Sequence, residues 1–563
     1  MNTEQALQPV ATHANPPRLT GSHPDCQVLI VGAGPTGLVL AAELTARGVR
    51  TRIVDKGDGV ALESRAIGIH ARTLEVLDMM GLADRFTERG QVVRYLRFYS
   101  QARCLASLEF ARCGSRFGFL LDLPQDETQR LLRARLAELG GMIEQRAELV
   151  GLASGSDAVT ATVRTPGGHI ETITAGYVVG CDGAHSRVRH ELGLSFDGHP
   201  YPQDWLLADV LIDSNLAENA AHAFFRSDGL PMIFFPMRGH RWRLTLPFAG
   251  ARSEAPPTLE EIQRLTDQRA PWPVTVSDPT WLANFRCHRR SAEAYRQGRV
   301  LLAGDAVHIH TPAGGQGMNT GIMDAHNLGW KLALVSAGRA PDTLLDSYGT
   351  ERHPVADEVL KLTHTLVRYG TMTHPVKRRI RDIAVPALAR STAIQERAAR
   401  RLTHVGIAYP AGPLTRPDSR RSDPRPGQRI RDMTVRQGSQ VTTLHNVLRH
   451  GRHVLVVPAG GLASVLDDAR LRLYRNDIDI VTGNTAAVAR TASGRRTLLV
   501  LVRPDGHIAV RARPAAIDPV IDYLHDLFGD QADSGKGQQY AGIPQRPAPA
   551  AAALTAAATT PKP

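Results

Sequence analysis

Long apolar runs are missing from this chain. No stretch of about 18 consecutive apolar residues occurs, and the N-terminus, MNTEQALQPVATHANPPRLTGSHP, has no basic start followed by an apolar core. Export and membrane spanning are unsupported, and a cytoplasmic location is expected. Cysteine is sparse. Cys26, Cys104, Cys113, Cys181 and Cys287 form no CxxC pair and no ligand-spaced cluster, which argues against structural zinc, iron-sulfur clusters and dithiol redox chemistry. Lysine is rare too, with six residues among 67 basic ones, so arginine carries the excess behind a formal net charge of +12. The arginines are spread along the chain without an aromatic-studded basic patch, so neither nucleic acid nor membrane is an expected partner. No GxSxG elbow and no HExxH helix occurs, and hydrolase chemistry has no support.

What the chain has is length for more than one core. With 563 residues, 42% hydrophobic and 22% charged, two or three domains are expected. Residues 1–24 lack apolar periodicity and residues 531–563 are an Ala/Pro-rich tail, so both ends are expected to be disordered. CQVLIVGAG reads as a buried strand, GLVLAAELTARG as a helix and VRTRIVDK as a second strand. This βαβ unit opens a parallel sheet within residues 25–196. Across 197–284 the pattern changes to short alternating runs, WLLADVLI, MIFFPM and HRWRLTLPF, which predict an inserted antiparallel sheet. Strand-helix logic resumes over 285–405, with a helical stretch from Asn319 to about Val405 broken near Pro375 and Pro386. A linker over 406–423 then leads to a small α/β domain over 424–530.

The segment VGAGPTG places Gly32, Gly34, Pro35, Thr36 and Gly37 between strand and helix. The backbone there turns tightly and aims helix N–H groups at a pyrophosphate. Asp55, followed by Lys56 at the end of the second strand, lies eighteen residues after Gly37 and is placed to accept from a ribose hydroxyl. The same fingerprint serves NAD and FAD, so it does not choose between them. Two later segments bear on the choice. VVGCDGAHSRVRHELG puts Asp182 and Gly183 after a strand, with Arg189 beyond. GRVLLAGDAVHIHTPAGGQGMNTG puts Gly304 and Asp305 after another strand, ahead of a glycine-rich helix start. Each, taken alone, also reads as an ordinary turn with an Asx hydrogen bond.

Together, GAGPTG, CDGAHSRVR and GDAVHIHTPAGGQGMN resemble the class A flavoprotein monooxygenases, the aromatic hydroxylases of the p-hydroxybenzoate and phenol hydroxylase type. The resemblance covers about residues 25–400 and is closest to the polyketide hydroxylase and pentachlorophenol monooxygenase branch. It implies an α/β architecture: a Rossmann-type FAD-binding domain, an inserted antiparallel-sheet substrate domain and a C-terminal thioredoxin-like domain. It further implies that Asp55 binds the adenosine ribose, that Arg65 and Gln125 lie along the FAD, and that Asp305 meets the ribityl chain. Asp182 and Arg189 are then expected to serve FAD or the nicotinamide cofactor. Gln129 departs from the pattern, since relatives usually carry an acid there.

The third motif also has a physical reading. If Gly317, Met318 and Asn319, preceded by Gly315, open a helix, their free N–H groups and the positive dipole end face the flavin N1 and C2 carbonyl. Such a site stabilises anionic reduced flavin. By resemblance, the backbone carbonyl of Pro312 meets a phenolic hydroxyl. His308 and His310 lack a third ligand at a familiar spacing, so no metal is expected, and either can line the pocket as a proton relay.

The implied reaction is hydroxylation of a phenolic or polycyclic aromatic small molecule. NADPH or NADH reduces FAD, and O2 adds to give a C4a-hydroperoxide that passes its distal oxygen to the ring. Baeyer-Villiger or epoxidising oxygenation on the same fold stays open, as does a flavin- or ligand-binding protein without turnover. The DG and GD segments disfavour a plain NAD dehydrogenase. A monomer or homodimer is expected.

Overall fold

The computed structural model describes residues 24–60, 66–249, 255–309, 314–418, 424–483 and 498–529. The ends expected to be disordered therefore fall almost wholly outside the described residues, as do Arg65, His310 and Pro312. Among the described residues no helix is long and apolar enough to cross a membrane.

The first sheet grows around Cys26–Val31, whose side chains are almost all buried, as a strand covered on both faces requires. It pairs in parallel with Thr51–Asp55 on one side and with Ile170–Gly180 on the other, and the latter pairs in parallel with Val300–Leu302. The register sets Val31 opposite Gly180 and Gly180 opposite Leu302. Three strands far apart in sequence thus stop at one level. Helix Pro35–Ala46 packs against helix Gly317–Ser336 over this sheet, and Thr36 fills the space beside Gly304 and Gly321, where any Cβ would collide with its side chain.

The second sheet has eight strands. It runs from His308–Ile309 through Thr275–Ala292, Phe196–Asp213, Arg241–Ala249, Met232–Pro236 and Ala220–Phe225 to Tyr95–Ser100 and Arg103–Glu109. Alternation within 197–284 predicts only its middle. The hairpin 95–109 joins from the preceding segment, with Tyr95–Ser100 parallel to Ala220–Phe225. The strand Ala220–Phe225 would otherwise leave a row of backbone groups unpaired at a sheet edge. One face of this sheet packs Leu206, Trp242, Leu244 and Phe234 against Ile262 and Leu265 of helix Leu259–Arg269. The other face turns toward the first domain.

The helical stretch divides into Gly317–Ser336, Asp346–Gly370, Pro375–Ala389 and Thr392–Leu402. Pro375 opens its helix at the first position, where a missing N–H costs nothing. The break expected at Pro386 does not occur there; the helix carries it through its last turn and ends three residues later. In the third sheet His453–Val457 is central, parallel to Ile478–Gly483 and antiparallel to Leu499–Val502, with helix Asp518–Phe528 packed alongside. The described part of the expected linker is packed rather than open, with Tyr409 and Leu414 buried and the Tyr409 ring 4.1 Å from that of His507.

The third sheet is bound to the first domain by a buried ionic cluster. Arg503 donates to Glu351 at 2.5 and 2.9 Å, Lys331 to Glu351 at 2.7 Å, and the Trp330 indole to Asp505 at 3.4 Å. Burial alone would raise the Glu351 carboxyl, but Arg503 and then Lys331 outweigh it and hold it at about 2. Burial lowers the Lys331 ammonium to about 8 despite Glu351. A second clamp joins His445 and Asp78 at 2.9 Å, where Arg116 and Arg449 also meet the Asp78 carboxylate. Asp432 completes a group that could geometrically hold a cation, but those two arginines already supply the positive charge.

Removing Arg503 strands two buried carboxylates. Arg503→Met is expected to cost about 3–5 kcal/mol in urea unfolding at neutral pH. Glu351 has a folded pKa below its ordinary 4.5, so its contribution is present above that value and is lost as pH falls toward about 2. The wild-type protein should lose stability across that window, and the Arg503→Met variant should lose less of it. Equal acid-side slopes for the two proteins would overturn this account.

Candidate active site

The glycine turn divides its labour. Gly32 has φ +103°, and a Cβ there would stand 2.7 Å from the Cys181 carbonyl carbon and 2.9 Å from the Asp182 Cα; a Cβ on Gly37 would strike the Gly32 carbonyl oxygen. Both positions are glycine because of the protein's own backbone. A Cβ on Gly34, the N-cap of helix Pro35–Ala46, would meet nothing within 4 Å. That is an open cradle at a helix N-terminus, the setting in which free N–H groups receive phosphate. Asp55 accepts from Ala33 N at 2.5 Å and from Gly57 N at 2.7 Å, so its carboxylate stands beside the turn. Lys56 is exposed next to it.

Backbone bonds hold the other two motifs level with this turn. Cys181 N donates to Val31 O at 2.7 Å and Ala303 N to Gly180 O at 2.9 Å. Asp182 Oδ2 accepts from Arg187 N and Val188 N at the start of the following helix, while Oδ1 is buried without a hydrogen-bond partner. Burial pushes this carboxyl up. Arg189 is buried; it donates to Ala306 O at 2.8 Å and Ala184 O at 2.9 Å and stacks 3.8 Å over the Phe196 ring. It therefore ties the DG loop to the GD loop instead of projecting into a cleft or pairing at the surface. Asp305 is exposed, on the short turn Gly304–Ala306.

His308, expected along the pocket, lies behind the GD loop at 1% exposure. Its Nε2 meets Asp324 Oδ2 at 2.6 Å, and the same oxygen accepts from Gly304 N at 3.2 Å while Oδ1 accepts from Arg352 Nε at 2.7 Å. Burial opposes charge on Asp324, but Arg352 and then His308 hold its carboxyl below the ordinary range. The strand His308–Ile309 pairs with Arg290–Ser291, and that pairing turns the imidazole inward.

At the helix start the expected residues mostly build the wall. Asn319 donates to Gly68 O at 2.8 Å and Gly315 O at 2.6 Å and accepts from His70 N at 2.9 Å. Gln125 Oε1 accepts from Ala66 N at 3.1 Å. Gly315, with φ +65°, and the half-buried Gly317 and Met318 present their backbones at this end. Three residues absent from the sequence expectations sit beneath them. Gln316 donates to Gly314 O and Leu402 O and meets His404 Nε2, and His70 Nε2 lies 2.8 Å from Gly314 O. Burial holds His70 at about 4, so it is neutral at neutral pH. No local signal marks His404, which arrives from a turn 88 residues beyond Gln316.

Facing this end is the inner side of the second sheet. Phe235, Arg243, Asp209 and Trp281 stand opposite one another on four adjacent strands. Arg243 donates to both Asp209 oxygens at 2.7 Å, stacks 5.1 Å from the Trp281 ring, and leaves its Nη1 buried without a partner. Thr245 and Leu207 continue the face in the next row. HRWRLTLPF carries the relevant signal, because Arg243 and Thr245 are in phase with each other and out of phase with Trp242, Leu244 and Leu246. Alternation alone would put that polar face in solvent.

The open cradle at Gly34 and the unpartnered buried oxygen of Asp182 fit a dinucleotide lying across the ends of the three strands. The comparisons with known proteins agree. Residues 25–363 match the FAD binding domain family, and residues 423–530 match the C-terminal domain of aromatic-ring hydroxylases. The chain is 35% identical over 532 residues to 6-methylpretetramide 4-monooxygenase of Streptomyces rimosus, covering 91% of this chain and 95% of that one. It is 33% identical over 466 residues to pentachlorophenol 4-monooxygenase of Sphingobium chlorophenolicum, covering 80% and 83%. Among solved structures, the anhydrotetracycline hydroxylase from Streptomyces rimosus superposes with a TM-score of 0.74 at 32% identity, covering 90% of this chain and 99% of that one. With its FAD-binding domain and ring-hydroxylase C-terminal domain both matched, the chain belongs to the FAD-dependent aromatic-ring hydroxylases.

Proposed function

We propose that this hydroxylase acts on a polycyclic phenolic, polyketide-like small molecule, uses O2, and accepts electrons from NADPH or NADH. The observation that carries the reading is the juxtaposition of three motif-bearing strand ends with an inward-facing row of Phe235, Arg243, Asp209 and Trp281. Two large aromatic side chains flanking an ion pair suit a flat, oxygenated ring system better than a small aliphatic one. Relatives named for tetracycline-type and pentachlorophenol substrates support the aromatic class.

The residues divide into holding and shaping groups. Gly34 leaves room for the phosphates, the N–H groups of helix Pro35–Ala46 point at them, and Asp55 takes the ribose hydroxyls. Asp305, at the exposed edge of the GD turn, takes the ribityl chain. Gly315, Gly317 and Met318 offer backbone N–H groups to the pyrimidine end of the flavin, where the helix dipole favours negative charge. A bound flavin supplies two-electron exchange with the nicotinamide cofactor and activation of dioxygen. His70, kept neutral by burial, adds no charge of its own below that helix start. Arg189, Asn319 and Gln125 hold the loops in place, and His308 does the same through Asp324. Pro312 and His310 remain assigned to the substrate side.

The purified protein is expected to be yellow or to take up added FAD, and to oxidise NADPH or NADH faster with phenols or tetracyclic polyketides present. A protein that binds no flavin overturns the reading. Product mass and ring integrity separate hydroxylation from lactone formation. Gly34→Val should fold normally in thermal melts, because nothing stands near that Cβ, while FAD affinity falls by at least about tenfold, or ~1.4 kcal/mol. Asp305→Ala should lower flavin retention; unchanged flavin content would count against its assignment.

A further inference from the structure

Asp122 ends the strand Leu120–Asp122, between Gly68–Ile69 and Gln91–Val93. It is 1% exposed, and neither carboxyl oxygen has a hydrogen-bond partner. A buried carboxyl with two idle oxygens costs several kcal/mol unless something meets it. Its neighbours place it at the active site. Gly68, its pairing partner, gives its carbonyl to Asn319 at the start of helix Gly317–Ser336, and an added Cβ on Gly68 would stand 3.6 Å from Asp122 Oδ1. Arg243, on the inner face of the second sheet, is the charged group whose field reaches Asp122. Arg243 spends two nitrogens on Asp209 and leaves Nη1 without a partner.

Building on the proposed function, we infer that Asp122 and the idle Nη1 of Arg243 form a two-sided hydrogen-bonding site that selects substrates carrying a phenolic hydroxyl beside a ring carbonyl. Burial pushes the Asp122 carboxyl well above the carboxylate range, and Arg243 only partly offsets this. With the proton held, this carboxyl offers one O–H donor and one acceptor oxygen; in either state its oxygens accept. The O–H donates to the ketone oxygen, the carbonyl oxygen accepts the phenol proton, and Arg243 Nη1 donates to whichever substrate oxygen bears more negative charge. The adjoining guanidinium disfavours a cationic amine at this place. The arrangement leaves no buried polar atom of the pair without a partner once substrate is bound, and an analogue lacking the hydroxyl leaves one again.

The test uses the FAD-loaded protein and two probes: a monohydroxyanthraquinone with its hydroxyl beside the carbonyl, and its O-methyl ether. Dissociation constants are read from the perturbation of flavin absorbance, with flavin content and substrate-free NADPH oxidation recorded separately. The wild-type protein is expected to prefer the hydroxyl probe by about tenfold or more. Asp122→Leu, close in volume, should bind both probes alike, and Asp122→Asn, which keeps a donor and an acceptor, should retain an intermediate preference. Should Asp122→Leu fail to fold, Asp122→Asn with a full wild-type preference overturns the assignment. Wild-type binding without preference, or preference surviving in Asp122→Leu, overturns it while leaving flavin function intact. A wild-type protein that takes up no FAD overturns the proposed function and this inference with it.

Discussion

Parallel pairing stops Cys26–Val31, Ile170–Gly180 and Val300–Leu302 at the same level, and the active site rests on that register. Each strand hands its chain to a different loop: the glycine turn, the DG turn and the GD turn. A slip of one residue in any of the three would carry its loop about 3.3 Å along the strand and reverse its side chains. The loops are then stitched together from behind by Arg189, which reaches from the DG segment to Ala306 O, and by Asp324, which accepts from Gly304 N. Charge is used here as scaffolding. Arg352 and His308 both bind the Asp324 carboxylate in the interior, behind the GD loop.

Buried ionic groups in this molecule differ in how fully they are partnered. Arg503, Glu351, Lys331 and Asp505 are as buried as any group in the protein, and each has partners at short range. Such a cluster adds specificity of docking more than net stability, because desolvation consumes most of its attraction. Asp122 and the outer nitrogen of Arg243 share the burial and lack the partners. A folded chain tolerates that imbalance where it has another use for the groups.

How much of this was legible from residue order follows from how local each feature is. The glycine turn, the DG and GD turns and the third sheet were readable, because turn chemistry and period-2 alternation act within a few residues. His308 was misplaced for the converse reason: VHIHTP gives no direction to its imidazoles, and pairing with Arg290–Ser291 decides it. Arg189, expected to serve FAD or the nicotinamide cofactor, lies buried as a brace between two loops. Arg243 showed the right phase, but which face of a sheet meets water depends on what packs against it. Asp122 gave no signal at all, since LLDLPQ reads as an ordinary strand end. His70, Gln316 and His404 came together only through the return of a distant turn.

The parallel contact between Tyr95–Ser100 and Ala220–Phe225 has a consequence for how such proteins diversify. The substrate sheet is not a cassette bounded by 197 and 284. Its edge hairpin is encoded a hundred residues earlier, its strand Thr275–Ala292 runs past 284, and His308–Ile309 forms its other edge. Any recombination that swaps substrate preference between two such proteins must transfer these stretches together, or leave a mismatched seam beside the cleft. Substrate range in this architecture should therefore change more readily by point substitution on the inner face than by exchange of contiguous gene segments.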